Sequence, residues 1–156
     1  MTYAEYRKQE QAEFDALPIF LAFSDEQLER AMNERGLTLQ NTDKIYRFGR
    51  NGFYLKTDDE IIKKFVNRPD RLRDLMENEP GFAEDAFYYE MENHEYSINW
   101  QGDYDVCSCF GRCKYDDAKD YVDYLEVDCG YSGDVIDAFL AARTRFYRDA
   151  QKNDWY

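Results

Sequence analysis

Residues 74–111 contain no Lys or Arg, yet they carry ten carboxylates: Asp74, Glu77, Glu79, Glu84, Asp85, Glu90, Glu92, Glu95, Asp103 and Asp105. This absence constrains the fold more than any motif does. A carboxylate is rarely buried without a partner, so these acids must face solvent or meet Arg and Lys from elsewhere in the chain. Extended to Asp137, the window holds 18 acids against Arg112, Lys114 and Lys119, a net −15, while the rest holds 15 acids and 17 bases, a net +2. The whole net charge of −13 is therefore concentrated in one central stretch. Phe82, Phe87, Tyr88, Tyr89, Tyr96, Trp100, Tyr104 and Phe110 are interleaved with the acids. Acid alternating with aromatic suits a basic protein partner, because carboxylates accept from Arg and Lys while rings supply desolvated area and cation–π faces. The plainer reading is an acidic surface kept for solubility.

The 156 residues are the size of one domain spanning residues 1–156, and 14 Tyr, 11 Phe and 2 Trp argue against disorder despite the charge. No apolar run approaches the roughly 20 residues that span a bilayer, and Met1-Thr2-Tyr3-Ala4-Glu5-Tyr6 does not read as a signal peptide. A cytoplasmic location is expected. The negative charge disfavours anionic membranes and direct nucleic-acid binding, which both call for clustered Lys and Arg.

Periodicity predicts a helix over residues 2–17, ending before Pro18, and a second capped by Ser24 and closed at Gly36. The apolar linker 18–23 reads as buried. Residues 44–48 and 53–56 flank Gly49-Arg50-Asn51-Gly52, a hairpin signal. Thr57 and Glu60 form a capping-box pattern, Pro69 suits the start of a helix over 70–79, and another helix is expected over about 81–93. Alternation in residues 96–100 and 104–110 around Gln101-Gly102-Asp103 predicts a second hairpin, followed by helices over about 116–127 and 132–152 with Ser132 as N-cap. The expected class is α+β, a single compact domain of about six helices with two short β-hairpins forming a small antiparallel sheet.

The stretch His94-Glu95-Tyr96-Ser97-Ile98-Asn99-Trp100-Gln101-Gly102-Asp103-Tyr104-Asp105-Val106, followed by Phe110-Gly111, resembles an uncharacterised family of small acidic proteins carried on bacterial mobile elements. The resemblance extends to Leu17-Pro18-Ile19-Phe20 and Asp154-Trp155-Tyr156. It brings no established activity. Carriage on plasmids and phages implies an accessory or anti-defence role over a housekeeping enzyme.

Four cysteines, Cys107, Cys109, Cys113 and Cys129, accompany a single histidine, His94. Their C-x-C-x3-C spacing is not a zinc knuckle, so reduced, metal-free core thiols are expected, and no cofactor is implied. His94-Glu95 adjacency gives no dyad, since neighbouring residues do not face one another. Asp103-x-Asp105 and Asp116-Asp117-x-x-Asp120-x-x-Asp123 lack the calcium-loop pattern. The favoured function is non-catalytic: an inhibitor that binds a basic protein surface, anti-CRISPR-like, mimicking nucleic-acid phosphates in the channel of an effector nuclease. The candidate contact residues are Glu84, Asp85, Tyr88, Tyr89, Glu92, Trp100, Asp103, Asp105, Asp116, Asp117, Asp120 and Asp123. The alternative is a small enzyme using His94 with carboxylates or cysteines, with or without a metal.

Overall fold

The computed structural model of the chain describes residues 1–111 and 120–155. Over these residues the protein is α+β, with seven α-helices, a π-helical stretch and one three-stranded antiparallel sheet. Its contacts divide into two compact units, Met1–Gln9 with Asp70–Tyr156, and Glu10–Pro69. The charge divides unequally: the first unit holds 22 acids against 11 bases, a net −11, and the second 11 against 9, a net −2. Helix α1 (Tyr3–Asp15) contributes its opening turns to the first unit and its remainder to the second.

In the second unit the expected hairpin forms as β2 (Ile45–Phe48) and β3 (Gly52–Leu55), paired Ile45 to Leu55 and Arg47 to Phe53. The apolar linker supplies a third strand, β1 (Phe20–Leu21), on the other edge of β3. Phe20 pairs with Phe53, and their stacked rings are 6.0 Å apart. Burial of the linker is partial: Phe20 and Ala22 are buried, whereas Leu21 and Phe23 point to solvent. Ser24 caps α2 (Asp25–Glu34) by accepting from the Gln27 amide, and Gly36 takes the left-handed conformation (φ +73°) after the helix. The predicted Thr57/Glu60 capping box does not form. A 3₁₀ turn over Lys56–Asp58 leads into α3 (Asp59–Val66) instead, and Asp59 is held by the Tyr54 hydroxyl and Lys63. Arg68 closes the unit by donating to Glu10 and Glu13 on α1.

The first unit is built on α4 (Arg71–Asn78), α5 (Phe82–Asn93), α6 (Gly102–Ser108) and α7 (Gly133–Asn153). Asp70 caps α4 by accepting from Arg73 N. Helix α5 lies along α7, with Phe87 set edge-on to Phe139 (5.2 Å) and to Phe110 (4.7 Å). Such edge-to-face pairs contribute about 0.5–1.5 kcal/mol beyond their area. Tyr3 and Tyr6 of α1 complete this core, Tyr3 against Phe82 and Phe110. Ser132 precedes α7 as expected, but its hydroxyl donates to Glu77 rather than capping the helix.

The second predicted hairpin is not formed. Residues 96–101 are a turn, and residues 102–108 are α6. The alternation of Tyr104, Val106 and Phe110 coincides with a helical i, i+4 pair, Val106 and Phe110, and short apolar runs fit both periods. What decides is packing and local electrostatics. Val106, Cys107 and Phe110 all enter the core, and Asp103 and Asp105 fall in the first turn, where the helix dipole favours acids. Gly102 permits the turn before it, because a Cβ there would lie 2.6 Å from the Tyr96 ring. Of the helix predicted over 116–127, residues 116–119 lie outside the described residues, and Asp123–Asp128 is π-helical.

The α5–α7 seam should dominate the stability of the first unit. Phe87→Ala should lower its unfolding free energy by about 3–5 kcal/mol, whereas Val127→Ala, at a solvent-facing position, should change it by less than about 0.5 kcal/mol. Urea unfolding followed by circular dichroism measures both, and equal small effects would contradict this core.

Candidate functional site

Helix α5 ends in an unusual way. Tyr96 N donates to Met91 O (3.0 Å) and Glu95 N to Glu92 O (3.3 Å), the paired bonds of a Schellman closure. The left-handed position of that closure is normally glycine, but here it is Glu95 (φ 51°). Helix α7 closes similarly, with Asp154 at φ 53° and Trp155 N donating to Ala150 O. A helix C-terminus carries partial negative charge, so Glu92 and Glu95 at the end of α5 repel the dipole and create a site where a cation is favoured. Beside them is a cavity of about 280 Å³ lined by Glu92, Glu95, Ser97, Ile98, Phe146 and Trp155. Its rim is acidic and its walls include an indole and a phenyl ring 5.8 Å apart.

The loop after α5 separates this cavity from a second one of about 370 Å³, whose lining includes Asp103, Tyr104, Tyr147 and Trp100. Asn99 fixes the loop from within: its amide donates to His94 O and to Asp105, and its carbonyl oxygen accepts from Gln101 N. The loop presents two large apolar side chains to solvent, Ile98 at 67% and Trp100 at 90% exposure. The Trp100 indole is thus almost wholly in solvent although hydrogen bonds within the loop fix its backbone.

The sequence-derived candidates fall into three groups. Glu92 and Trp100 stand at the loop and its cavities. Several others have internal partners: Glu84 pairs with Arg145 (3.7 Å), Asp85 accepts from Tyr3 N (2.7 Å), Asp103 accepts from the Tyr96 hydroxyl, and Asp105 accepts from Asn99. Tyr88 is buried beneath Arg145 and donates to Asp149, while Tyr89 is edge-on to Tyr3 with Arg7 over its ring. Asp120 accepts from Asp123 N away from this loop in sequence, and Asp116 and Asp117 lie outside the described residues.

A second cluster is centred on Glu90, which is 2% exposed and the one buried charged side chain among the described residues. Its Oε1 accepts from the Tyr3 hydroxyl (2.8 Å) and Arg7 Nη1 (2.9 Å), and its Oε2 from Asn93 Nδ2 (3.0 Å). One turn later, His94 Nε2 stands 3.5 Å from Glu90 Oε2 and 3.5 Å from Cys109 Sγ. The thiol donates to Asp105 O. Burial, reinforced by the Glu90 carboxylate, pushes the Cys109 thiol up to about 12. A thiol relay needs a carboxylate on the far imidazole nitrogen; here thiol and carboxylate both face Nε2. The Cys109 thiol and the His94 imidazole thus meet where the ends of α5 and α6 come together.

Residues 2–119 match the sequence model of a family of unknown function (DUF7659). The chain belongs to that family. No curated protein and no solved structure matches it. The matched segment includes Glu90, His94, Cys109 and the loop with Trp100, while Phe146 and Trp155 lie beyond it. Among the described residues, no helix is long and apolar enough to cross a membrane.

Glu95, Ile98, Phe146 and Trp155 are not among the contact residues that the sequence suggests, because the cavity joins positions some fifty residues apart. Glu90 and His94 were legible in principle, since i, i+4 spacing places them on one helix face.

The buried acids of this unit set an alkaline limit. Burial raises the Cys107, Cys109, Tyr3 and Tyr96 groups above their ordinary values, with hydrogen bonds to Glu90 and Asp103 adding to the two phenols. Each holds its proton more tightly folded than unfolded, so its contribution is complete below the unfolded value, about 8.5 for Cys and about 10 for Tyr, and is lost above it. The urea midpoint should therefore fall steadily as pH rises from about 8.5 towards about 11. A constant midpoint over that range would contradict the burial of these groups.

Proposed function

We propose that the protein is a non-catalytic binder of a basic protein surface, and that the loop of residues 95–101 with its two flanking cavities is where the partner docks. The observation that carries this reading is Trp100, almost fully exposed on a pinned loop between two hollows that each have carboxylates in their lining. Among the described residues neither Glu92 nor Glu95 forms an ion pair, so both are available to an incoming cation. A Lys or Arg side chain entering the first cavity would meet those carboxylates and the half-exposed indole of Trp155, the combination that rewards desolvated cations. Ile98 and Trp100 would supply the apolar centre of the contact. The acidic bias of the first unit steers such a partner by long-range attraction.

The resemblance to proteins of mobile elements favours one kind of partner, a nucleic-acid-binding effector nuclease of a bacterial defence system. Its Arg- and Lys-lined channel tracks phosphates, and a rigid acidic protein seated there would block substrate entry.

Affinity capture from bacterial lysate, with mass spectrometry of retained proteins, compares wild type with Glu92→Lys/Glu95→Lys/Trp100→Ala. Wild type should retain a basic protein at about 0.1 M salt and release it as salt screens the attraction. The triple variant should lose it while keeping its circular dichroism spectrum. Trp100→Ala alone should weaken the purified complex by about 30-fold, the effect of a hot-spot residue worth about 2 kcal/mol. Undiminished capture by the triple variant would overturn the proposal.

A further inference from the structure

The side chains of Glu90, His94 and Cys109 line neither cavity of the loop, and His94 Nε2 lies within hydrogen-bond range of the Cys109 thiol while standing off the Glu90 carboxylate. One donor atom from each residue lies within 4.8 Å of the others. A directly hydrogen-bonded imidazole and carboxylate approach to about 2.7–3.0 Å. Here His94 Nε2 stands off Glu90 Oε2 and Cys109 Sγ at 3.5 Å each. Zinc bonds of about 2.3 Å to sulfur and 2.0–2.2 Å to nitrogen or oxygen, at tetrahedral angles, place the donor atoms about 3.3–3.6 Å apart. Both measured edges match that range, the His94–Glu90 edge being too long for a direct hydrogen bond of this type and the His94–Cys109 edge also fitting a thiol–imidazole hydrogen bond.

We propose that Glu90 Oε2, His94 Nε2 and Cys109 Sγ bind a divalent cation of the zinc class, with a fourth position left for water or another ligand. The donor set selects the metal: thiolate and imidazole suit zinc, whereas magnesium and calcium take oxygen ligands. The surroundings resemble those of ligating carboxylates. Tyr3 and Arg7 occupy Oε1 and hold Glu90 in place, so Oε2 faces His94, with Asn93 Nδ2 as its other neighbour. The site is pre-positioned on one turn of α5 and the C-terminal end of α6. His94 and Cys109 are half-buried, which leaves the metal an approach from solvent. On binding, the Cys109 thiol gives its proton to solvent and its hydrogen bond to Asp105 O is exchanged for a sulfur–metal bond, with no change of oxidation state.

The test is a titration of the full chain, stripped with a chelator, using Co²⁺ as a spectroscopic probe and Zn²⁺ as competitor. One equivalent of Co²⁺ should produce a thiolate-to-cobalt charge-transfer band with tetrahedral d–d bands, displaced by one equivalent of Zn²⁺. Cys109→Ser should abolish the charge-transfer band. His94→Ala should weaken binding by more than about 100-fold, beyond the loss typical of a residue that only supports a ligand. Cys129→Ser should leave the spectrum unchanged. Circular dichroism confirms that the variants remain folded. No cobalt band in the wild type, or a band that survives in Cys109→Ser, would overturn the proposal.

Discussion

Glu90 is the constraint around which the first unit is organised. It belongs to the run of residues that contains no base of its own, yet it is inside the protein. An isolated buried carboxylate is costly, and breaking a buried pair by removing one partner typically costs several kcal/mol. The cation and one of the neutral donors come from the far end of the chain, Arg7 and Tyr3 on α1. Helix α1 is thereby tied to α5 by charge as well as by the packing of Tyr3 and Tyr6 on Phe82. Tyr3 also donates its backbone N–H to Asp85, one turn and a half earlier on the same helix. The segregation of charge in the sequence is thus resolved in part by a long-range contact.

With α5 anchored on one side by α1 and on another by α7, its C-terminus becomes a fixed platform. Glu95 in a left-handed conformation and an acid beside the negative helix end both oppose stability. Asn99 compensates by cross-linking the loop internally, so that Ile98 and Trp100 are held in solvent. Residues that cost stability and expose apolar surface at one place are the physical basis of the proposed docking loop. The proposed metal site begins one turn back on α5 and adjoins the loop through His94 O, which accepts from Asn99.

Local signals in the sequence were strong where local chemistry decided the structure. The hairpin around residues 49–52, the Ser24 cap, the Gly36 stop and the extent of α5 all follow from side chains acting on nearby backbone. The sequence misled where two periods overlapped. Val106 and Phe110 fit a strand and a helix equally, and the burial of Cys107 beside them, with Asp103 and Asp105 in the first turn, selects α6. Thr57 and Glu60 matched a capping box, but Asp59 found Tyr54 and Lys63 instead. For the candidate site, Glu92 and Trp100 were recognisable by residue type, whereas Phe146 and Trp155 joined them through the α5–α7 packing, which no local pattern reports. Asp85, Asp103 and Asp105 illustrate the converse: acids that look like surface in the sequence hold the backbone and loop together.

The chain contains two tryptophans, Trp100 on the loop and Trp155 in the cavity wall, so two indole N–H resonances report on the proposed docking surface. The most direct measurement is therefore a ¹⁵N NMR titration with an Arg-rich peptide at low salt, following these indoles with the amides of Glu92, Glu95 and Ile98. Both indoles and these amides should shift together and saturably, and Glu92→Lys/Glu95→Lys should remove the response. Shifts confined to other acidic positions, with both indoles unmoved, would contradict it.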